Sequence, residues 1–225
     1  MRVGITTSAD RLERVSEPFL RAGLDPVLLP CVRIEPMPPA ALAGARRSVG
    51  EAAVLLLGSV RALDVLWPEG QPPPVPVIAV GGATAAAVRE RGGSVEFTGS
   101  GGLHEVADEA DLDGRAVVFP HSAGTDRSAL HRIAQRASSL SAPVVYAAVP
   151  LPPDDGEVDA VAFGSPSAVR GWLMARNLEH TLVGAIGATT TGYLESRGVR
   201  VDCISPRPDF DALAAAMATQ LEVVA

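Results

Sequence analysis

At 225 residues with 47% apolar content, the chain can fill two small packed domains, and disorder is not the default expectation. A formal net charge of −7 argues against a nucleic-acid partner, which needs clustered Lys and Arg, but leaves open a polyanionic small molecule held by a few arginines and helix N-termini. No apolar run approaches bilayer length, and residues 1–7 pass straight into polar positions without a signal-peptide core, so a cytoplasmic protein with no membrane partner is expected.

Short Val/Ile/Leu/Ala runs alternate with helical segments along the chain. The first predicted strand, Arg2–Thr6, is followed by a helix over Asp10–Ala22 that stops at Gly23, a residue suited to a left-handed C-cap. Strands at Pro26–Ile34, Ala52–Leu57 and Val77–Val80 come next, then a helix over Ala83–Arg91 closed by Gly92. Further strands are predicted at Ser94–Phe97, Arg115–Phe119, Pro143–Val149, Val158–Phe163, Leu182–Ile186 and Arg200–Ile204, with a helix over Thr189–Arg197 closed by Gly198. Several strands are apolar on both faces, as parallel strands covered by helices on two sides must be. The expected class is α/β, doubly wound.

An internal repeat sets the domain plan. Ala79–Thr84 (AVGGAT) overlays Ala185–Thr190 (AIGATT) at an offset of 106 residues, and the same offset brings Gly58, Ser59 and Ala62 onto Gly164, Ser165 and Ala168. It also brings Arg91, Gly92 and Val95 onto Arg197, Gly198 and Val201. A weaker echo at an offset of 114 relates Val3, Ser8 and Ala9 to Val117, Ser122 and Ala123. Two small parallel-sheet domains related by duplication are implied. Residues 31–39 and 144–153 are both extended and closed by prolines at matching places in the repeats, which marks them as linkers. Residues 1–33 with 150–225 are then one discontinuous domain and 37–143 an inserted one, joined by a two-stranded β linker with a cleft between them.

The strand-to-helix turns are small and hydroxylated: Thr6-Thr7-Ser8, Gly58-Ser59, Gly81–Thr84, His121–Gly124, Gly164–Ser167 and Gly187–Thr190. For any single turn, helix capping by Ser or Thr is the favoured explanation. Six such turns at strand C-termini would also make a donor-rich surface suited to scattered carboxylates. No GxGxxG follows the first strand, and GxxxxGK[ST], HExxH and GxSxG are absent, so nicotinamide, nucleotide triphosphate, zinc and serine-esterase chemistry lose their main support. The glycine-rich stretch Gly99–Gly102 matches none of these. Cys31 and Cys203 form no CxxC pattern and are expected to be buried, inert thiols rather than a disulfide or a zinc site. His104, His131 and His180 read as ordinary surface histidines, and His121, at a strand end, as either a cleft-lining or a capping residue. Tyr146, one of two tyrosines, falls within a linker strand, where location alone favours packing over catalysis.

Phe163–Val169 (FGSPSAV) resembles the FTSPSAV strand-to-helix segment of the uroporphyrinogen III synthase family. Ala185–Thr190 followed by Gly198 is similar to that family's AIGPTTA…G segment, and Ser205–Leu213 (SPRPDFDAL) to its SPTPEAL-like close. Val80–Ala85 resembles its VGxxTA, and Val145-Tyr146 ahead of Val149-Pro150 its tyrosine-bearing linker strand. The resemblance covers essentially the whole chain and is strongest in the C-terminal half. Departures are Gly58 and Gly164 where threonine is common, and Ala188 in place of a frequent proline.

The resemblance implies a cofactor-independent, metal-free lyase that closes hydroxymethylbilane, a linear tetrapyrrole polycarboxylate, into uroporphyrinogen III with inversion of ring D. It implies Tyr146 as the group assisting hydroxyl departure. Ser59, Thr84, Ser165, Thr189 and Thr190 are implied as carboxylate contacts, with Ser8 and Ser122 as weaker members of that set. A cytoplasmic monomer is implied, with hydroxymethylbilane synthase as the partner handing over substrate. Two readings from other classes stay open: a two-domain sensor that closes on an anionic ligand without turnover, and a sugar- or nucleotide-modifying enzyme, for which no phosphate loop or carboxylate pair is present.

Overall fold

A computed structural model describes residues 1–72, 74–100 and 102–224, with side chains described up to residue 220. Gly101, within the glycine-rich stretch, and Ala225, the end of the expected discontinuous domain, lie outside the described residues. In chain order the elements are β1 (Arg2–Ile5), a 3₁₀ turn (Ala9–Arg11), α1 (Leu12–Arg21), β2 (Asp25–Leu28), β3 (Val32–Pro36), α2 (Pro39–Gly50), β4 (Val54–Leu57) and α3 (Val60–Leu66). Then come β5 (Val77–Ala79), α4 (Gly82–Glu90), β6 (Val95–Thr98), α5 (Leu103–Glu109), β7 (Ala116–Val118), β8 (His121–Ser122), α6 (Arg127–Arg136), β9 (Ser139–Ser141) and β10 (Val144–Pro150). The chain closes with β11 (Ala160–Phe163), α7 (Pro166–Trp172), β12 (Leu182–Ala185), α8 (Ala188–Glu195), β13 (Cys203–Ile204) and α9 (Phe210–Val224).

Two compact units result, Met1–Ile34 with Ala148–Ala225 and Glu35–Ala147. The chain passes from one to the other within β3 and again within β10, and these strands belong to a three-stranded sheet of order β3-β10-β8.

Each unit is built on a five-stranded sheet whose described pairings are all parallel, ordered β13-β12-β11-β1-β2 in the first and β6-β5-β4-β7-β9 in the second. The repeat explains the match between them. The 106-residue offset relates β4, β5 and β6 to β11, β12 and β13, and the 114-residue offset relates β7 and β9 to β1 and β2. One sheet order therefore arises twice, from two different orders along the chain.

Alternation along the strands separates two cores in each unit. In the first, Val3, Ile5, Ala160 and Ala162 face Leu12, Val15 and Phe19 of α1 and Leu213 and Met217 of α9. Val161, Phe163, Val183 and Ala185 face the other way, onto Ala168, Val169 and Trp172 of α7 and Leu194 of α8. In the second unit Leu55, Leu57 and Val77 share one core with Leu63 and Leu66 of α3. Val54, Leu56 and Ile78 share the other with Val106 of α5 and Ile133 of α6. All four residues of β4 and of β11 are buried, as central strands covered on both faces require.

Gly23, Gly92 and Gly198 adopt φ of +75°, +77° and +73°, so the three glycines read as C-caps do carry the left-handed turn. Several expected elements differ from those observed. The strand expected over Pro26–Ile34 is two strands, because Leu29 N and Cys31 N turn to Ile5 O and Thr6 O at 3.0 and 3.2 Å while Pro30 between them has no N–H to give. The strand expected from Arg200 begins at Cys203; Arg200 is exposed and pairs with Asp202 instead. The helix expected from Asp10 opens as the 3₁₀ turn before α1 begins at Leu12. The short strands β8 and β9 have no counterpart among the expected elements, since three residues or fewer cannot display a period.

Candidate functional site: hydroxylated turns at the carboxyl edge of each sheet

Parallel pairing puts the C-terminal ends of all five strands on one edge of each sheet, and five of the six hydroxylated turns follow such an end. At the sixth, expected as a strand-to-helix turn, His121 and Ser122 instead form β8 of the three-stranded sheet. In open α/β sheets ligands bind outside that edge, where the strand order reverses. The reversal falls between β1 and β11 in the first unit and between β4 and β7 in the second.

At the first of these points Thr6, fully buried after β1, donates its hydroxyl to Ala162 O at 2.7 Å and ties the two strand ends together. This turn hydroxyl is spent inside the fold. Ser165, following β11, N-caps α7: its Oγ accepts from Ala168 N at 3.2 Å and makes no other hydrogen bond among the described residues. Ser8, 5% exposed, pairs with Val32 in an isolated parallel bridge and precedes the 3₁₀ turn without capping it.

The second unit repeats this arrangement with one difference. Ser59 follows β4 and N-caps α3, its Oγ accepting from Ala62 N at 3.4 Å. That oxygen also lies 3.1 Å from the phenol oxygen of Tyr146, a half-buried residue of β10 that packs against the core containing Leu57 and Leu63. Tyr146 pairs in parallel with Ser122 of β8, whose Oγ accepts from Gly124 N at 3.2 Å. The lack of a Cβ on Gly58 leaves room for the ring of Phe119, which a Cβ would approach to 3.3 Å.

Thr84 and Thr190 occupy the same place in the two repeats, the third residue of α4 and of α8. They are 5% and 3% exposed, and neither hydroxyl has a hydrogen-bond partner among the described residues. Both helices start from an N-cap glycine with no side-chain cap, Gly81 and Gly187, and a Cβ at Gly81, Gly82 or Gly187 would meet open space. Uncapped N–H groups beside an unused hydroxyl, facing open space, are the elements of a carboxylate site. Thr189 is exposed in the first turn of α8, and Thr191 Oγ1 donates back to Gly187 O at 3.2 Å.

The structure thus brings Ser59, Ser122 and Tyr146 together, and gathers Ser8, Ser165, Thr189 and Thr190 at the carboxyl edge of the other sheet. Sequence reasoning missed the Ser59 partner of Tyr146 and the reason for glycine at 164, where a Cβ would sit 2.6 Å from Phe210 Cζ. The histidines fall outside the hydroxyl sets. His104, His131 and His180 are exposed, and both His121 nitrogens face carbonyls, Ser122 O at 2.7 Å and Ala142 O at 3.1 Å. Burial pushes the Cys31 thiol up to about 12 and raises that of Cys203, so neither is a nucleophile near neutral pH. Among the described residues no group of three or more His, Cys, Asp or Glu could hold a metal ion, and no helix is long and apolar enough to cross a membrane.

Comparison with known proteins gives a consistent match. A family model described as uroporphyrinogen-III synthase HemD matches residues 13–215. Among solved structures, a mutant uroporphyrinogen III synthase from the extremely thermophilic bacterium Thermus thermophilus superposes with a TM-score of 0.68 at 17% identity, covering 99% of each chain. The wild-type protein from the same bacterium gives 0.56 at 18% identity, with complete coverage of both chains. The uroporphyrinogen-III synthetase of Helicobacter pylori gives 0.63 at 16% identity over 100% of this chain and 99% of that one. No curated protein sequence matches.

Proposed function

The chain belongs to the uroporphyrinogen-III synthase family, and from that premise we propose which of its groups carry the family's reaction. The reaction itself is the cyclisation of hydroxymethylbilane to uroporphyrinogen III, with loss of water and inversion of ring D. The observation that carries it is the family match over residues 13–215.

The leaving hydroxyl is already activated, because the pyrrole nitrogen lone pair stabilises the azafulvenium cation left behind. Selectivity is the harder task. Attack by the unsubstituted end of ring D closes the type I ring without assistance, whereas attack by its substituted α-carbon gives a spiro intermediate that fragments and recloses as type III. The protein must favour the less accessible route, chiefly through orientation and fixed dipoles.

In our reading Tyr146 gives a proton or hydrogen bond to the departing hydroxyl, supported by its phenol lying beside the N-terminus of α3. Thr84 and Thr190, with the N–H groups of α4 and α8, take acetate and propionate groups, as do Ser165 and Thr189. Ser8 and Ser122 are secondary members. The spread of donors over both repeats suits a ligand whose charge is equally spread. A cytoplasmic monomer that takes its substrate from hydroxymethylbilane synthase completes the proposal. Fast transfer would limit spontaneous type I closure.

Freshly prepared hydroxymethylbilane incubated with the purified protein, followed by chromatographic separation of the isomers, tests the function. Type III product above the uncatalysed background is expected. Tight binding with only type I product would favour the sensor reading.

A further inference from the structure

The duplication gives both units the same backbone around the point of strand reversal, but it does not give them the same chemistry. Ser59 and Ser165 are related by the 106-residue offset and cap equivalent helices. Ser122 and Ser8 are related by the 114-residue offset, and each pairs in parallel with one strand residue, Tyr146 and Val32 respectively. Those two partners are themselves 114 residues apart. Tyr146 therefore stands in one repeat where Val32 stands in the other. Ser59 meets a phenol at 3.1 Å, while Ser165 in the other unit keeps the capping bond alone among the described residues.

We infer that Ser59 is a positioning residue for Tyr146 rather than a substrate carboxylate contact, and that Ser165, its repeat equivalent, serves binding alone. This rests on the reading of Tyr146 as the group that assists hydroxyl departure. A serine hydroxyl has one hydrogen and two lone pairs. Ala62 N–H takes one lone pair of Ser59, so the hydroxyl meets the phenol with its hydrogen or its second lone pair, and in the inferred arrangement the hydrogen goes to the phenol oxygen. With Ser59 as donor, the phenol hydrogen stays available to the leaving hydroxyl.

As the C–O bond of the hydroxymethyl group breaks, its electron pair stays with oxygen. That oxygen takes the phenol proton and leaves as water, and the azafulvenium cation faces the phenolate. The phenolate recovers a proton when the closing pyrrole rearomatises and loses its α-hydrogen, so the protein is restored. During this interval the Ser59 hydrogen bond is charge-assisted, roughly twice as strong as between neutral groups. An interaction that strengthens toward the transition state acts on turnover.

The cap and the hydroxyl can be separated, because glycine is itself a tolerable N-cap residue. In Ser59→Gly we expect kcat to fall about tenfold with KM within about twofold of wild type, and Ser59→Thr should restore most of the turnover. Adding Ser59→Gly to Tyr146→Phe should change kcat by less than about twofold, since the hydroxyl then has no phenol to hold. Ser165→Gly should raise KM a few-fold and leave kcat nearly unchanged. An equal loss of kcat on Ser59→Gly with or without the Tyr146 hydroxyl would overturn the inference, as would a rise in KM alone. Wild-type turnover in Tyr146→Phe would instead sink the reading of Tyr146 and the catalytic part of this inference with it. The contact has its own readout. In a Tyr193→Phe background Tyr146 is the remaining tyrosine, and the Raman Fermi-doublet ratio, which reports whether a phenol accepts or donates, should change on Ser59→Gly. An unchanged ratio would refute the contact whatever the activity.

Discussion

Phe210 fills the space that a side chain at position 164 would need: a Cβ on Gly164 would lie 2.6 Å from Phe210 Cζ. Gly164 directly precedes the Ser165 cap of α7, and Phe210 begins α9. Threonine at 164, as in the resembling family segment, would force the ring aside or shift the turn. Gly164→Thr should cost about 1–3 kcal/mol, which is roughly 2–4 °C of Tm per kcal/mol at this size. The penalty should shrink when Phe210→Ala is added, and a thermal-unfolding double-mutant cycle checks this. Additive losses would mean the two residues do not compete for the space.

Gly171 is under a harder constraint. A Cβ there would meet Cys31 O at 2.2 Å and Leu151 O at 2.4 Å, both backbone atoms that no rotamer change can move. Gly171→Ala should cost about 3 kcal/mol or more in denaturant unfolding, or prevent folding. Gly192 in α8 is the control. A Cβ there meets open space, so Gly192→Ala should be neutral or stabilise by about 0.5–1 kcal/mol through helix propensity.

Replacing Tyr146 by Phe keeps the half-buried ring packed against its core cluster and removes the hydroxyl that meets Ser59. Turnover should fall about 10–100-fold, the low end for general-acid assistance given an activated leaving group. The melting temperature should change little. Steady-state kinetics with resolution of the type I and type III isomers is the measurement, and an unchanged kcat would make Tyr146 a packing residue.

Valine in place of Thr84 or Thr190 preserves shape and removes one hydroxyl from an open helix N-terminus. Because the backbone N–H groups remain, each change should raise KM by about 2–10-fold, the worth of one net hydrogen bond, with kcat nearly constant. A proportionate loss of kcat would instead put these threonines next to the reacting ring.

Desolvation of Cys31 raises its thiol to about 12, with Arg176 opposing the shift, and Cys203 is raised the same way, with the neighbouring Asp202 adding to it. In the native protein near pH 8 both thiols should resist a disulfide reagent and react only on unfolding. A raised pKa keeps Cys31 neutral in the fold where the unfolded chain would ionise. Its contribution to stability should therefore be complete below about pH 9 and be lost as pH rises toward about 12. Rapid native-state labelling of Cys31 would contradict the burial.

By itself the sequence determined what depends on neighbours along the chain and on duplication. The 106- and 114-residue offsets were readable from short identities and announced two small parallel-sheet domains, while the one strand order the two sheets share came with the tertiary structure. Gly23, Gly92 and Gly198 announced helix ends because only a residue without Cβ takes a positive φ at little cost. Doubly apolar runs announced buried parallel strands for the same kind of reason: each strand's environment is written in its own side chains.

Tertiary structure decided what depends on residues far apart in sequence. The break at Pro30 arises because Leu29 gives its N–H to Ile5 at the end of β1 and Cys31 to Thr6 just after it, a pairing that the apolar run of residues 26–34 does not encode. Thr6, one hydroxyl among many in the turns, is spent on Ala162, 156 residues away, while Thr84 and Thr190 keep theirs unused. Ser59 and Ser165 are indistinguishable in their local sequence role as caps. They differ because β10 carries a phenol to Ser59 across 87 residues of chain, and no periodicity or cap pattern records a contact of that separation.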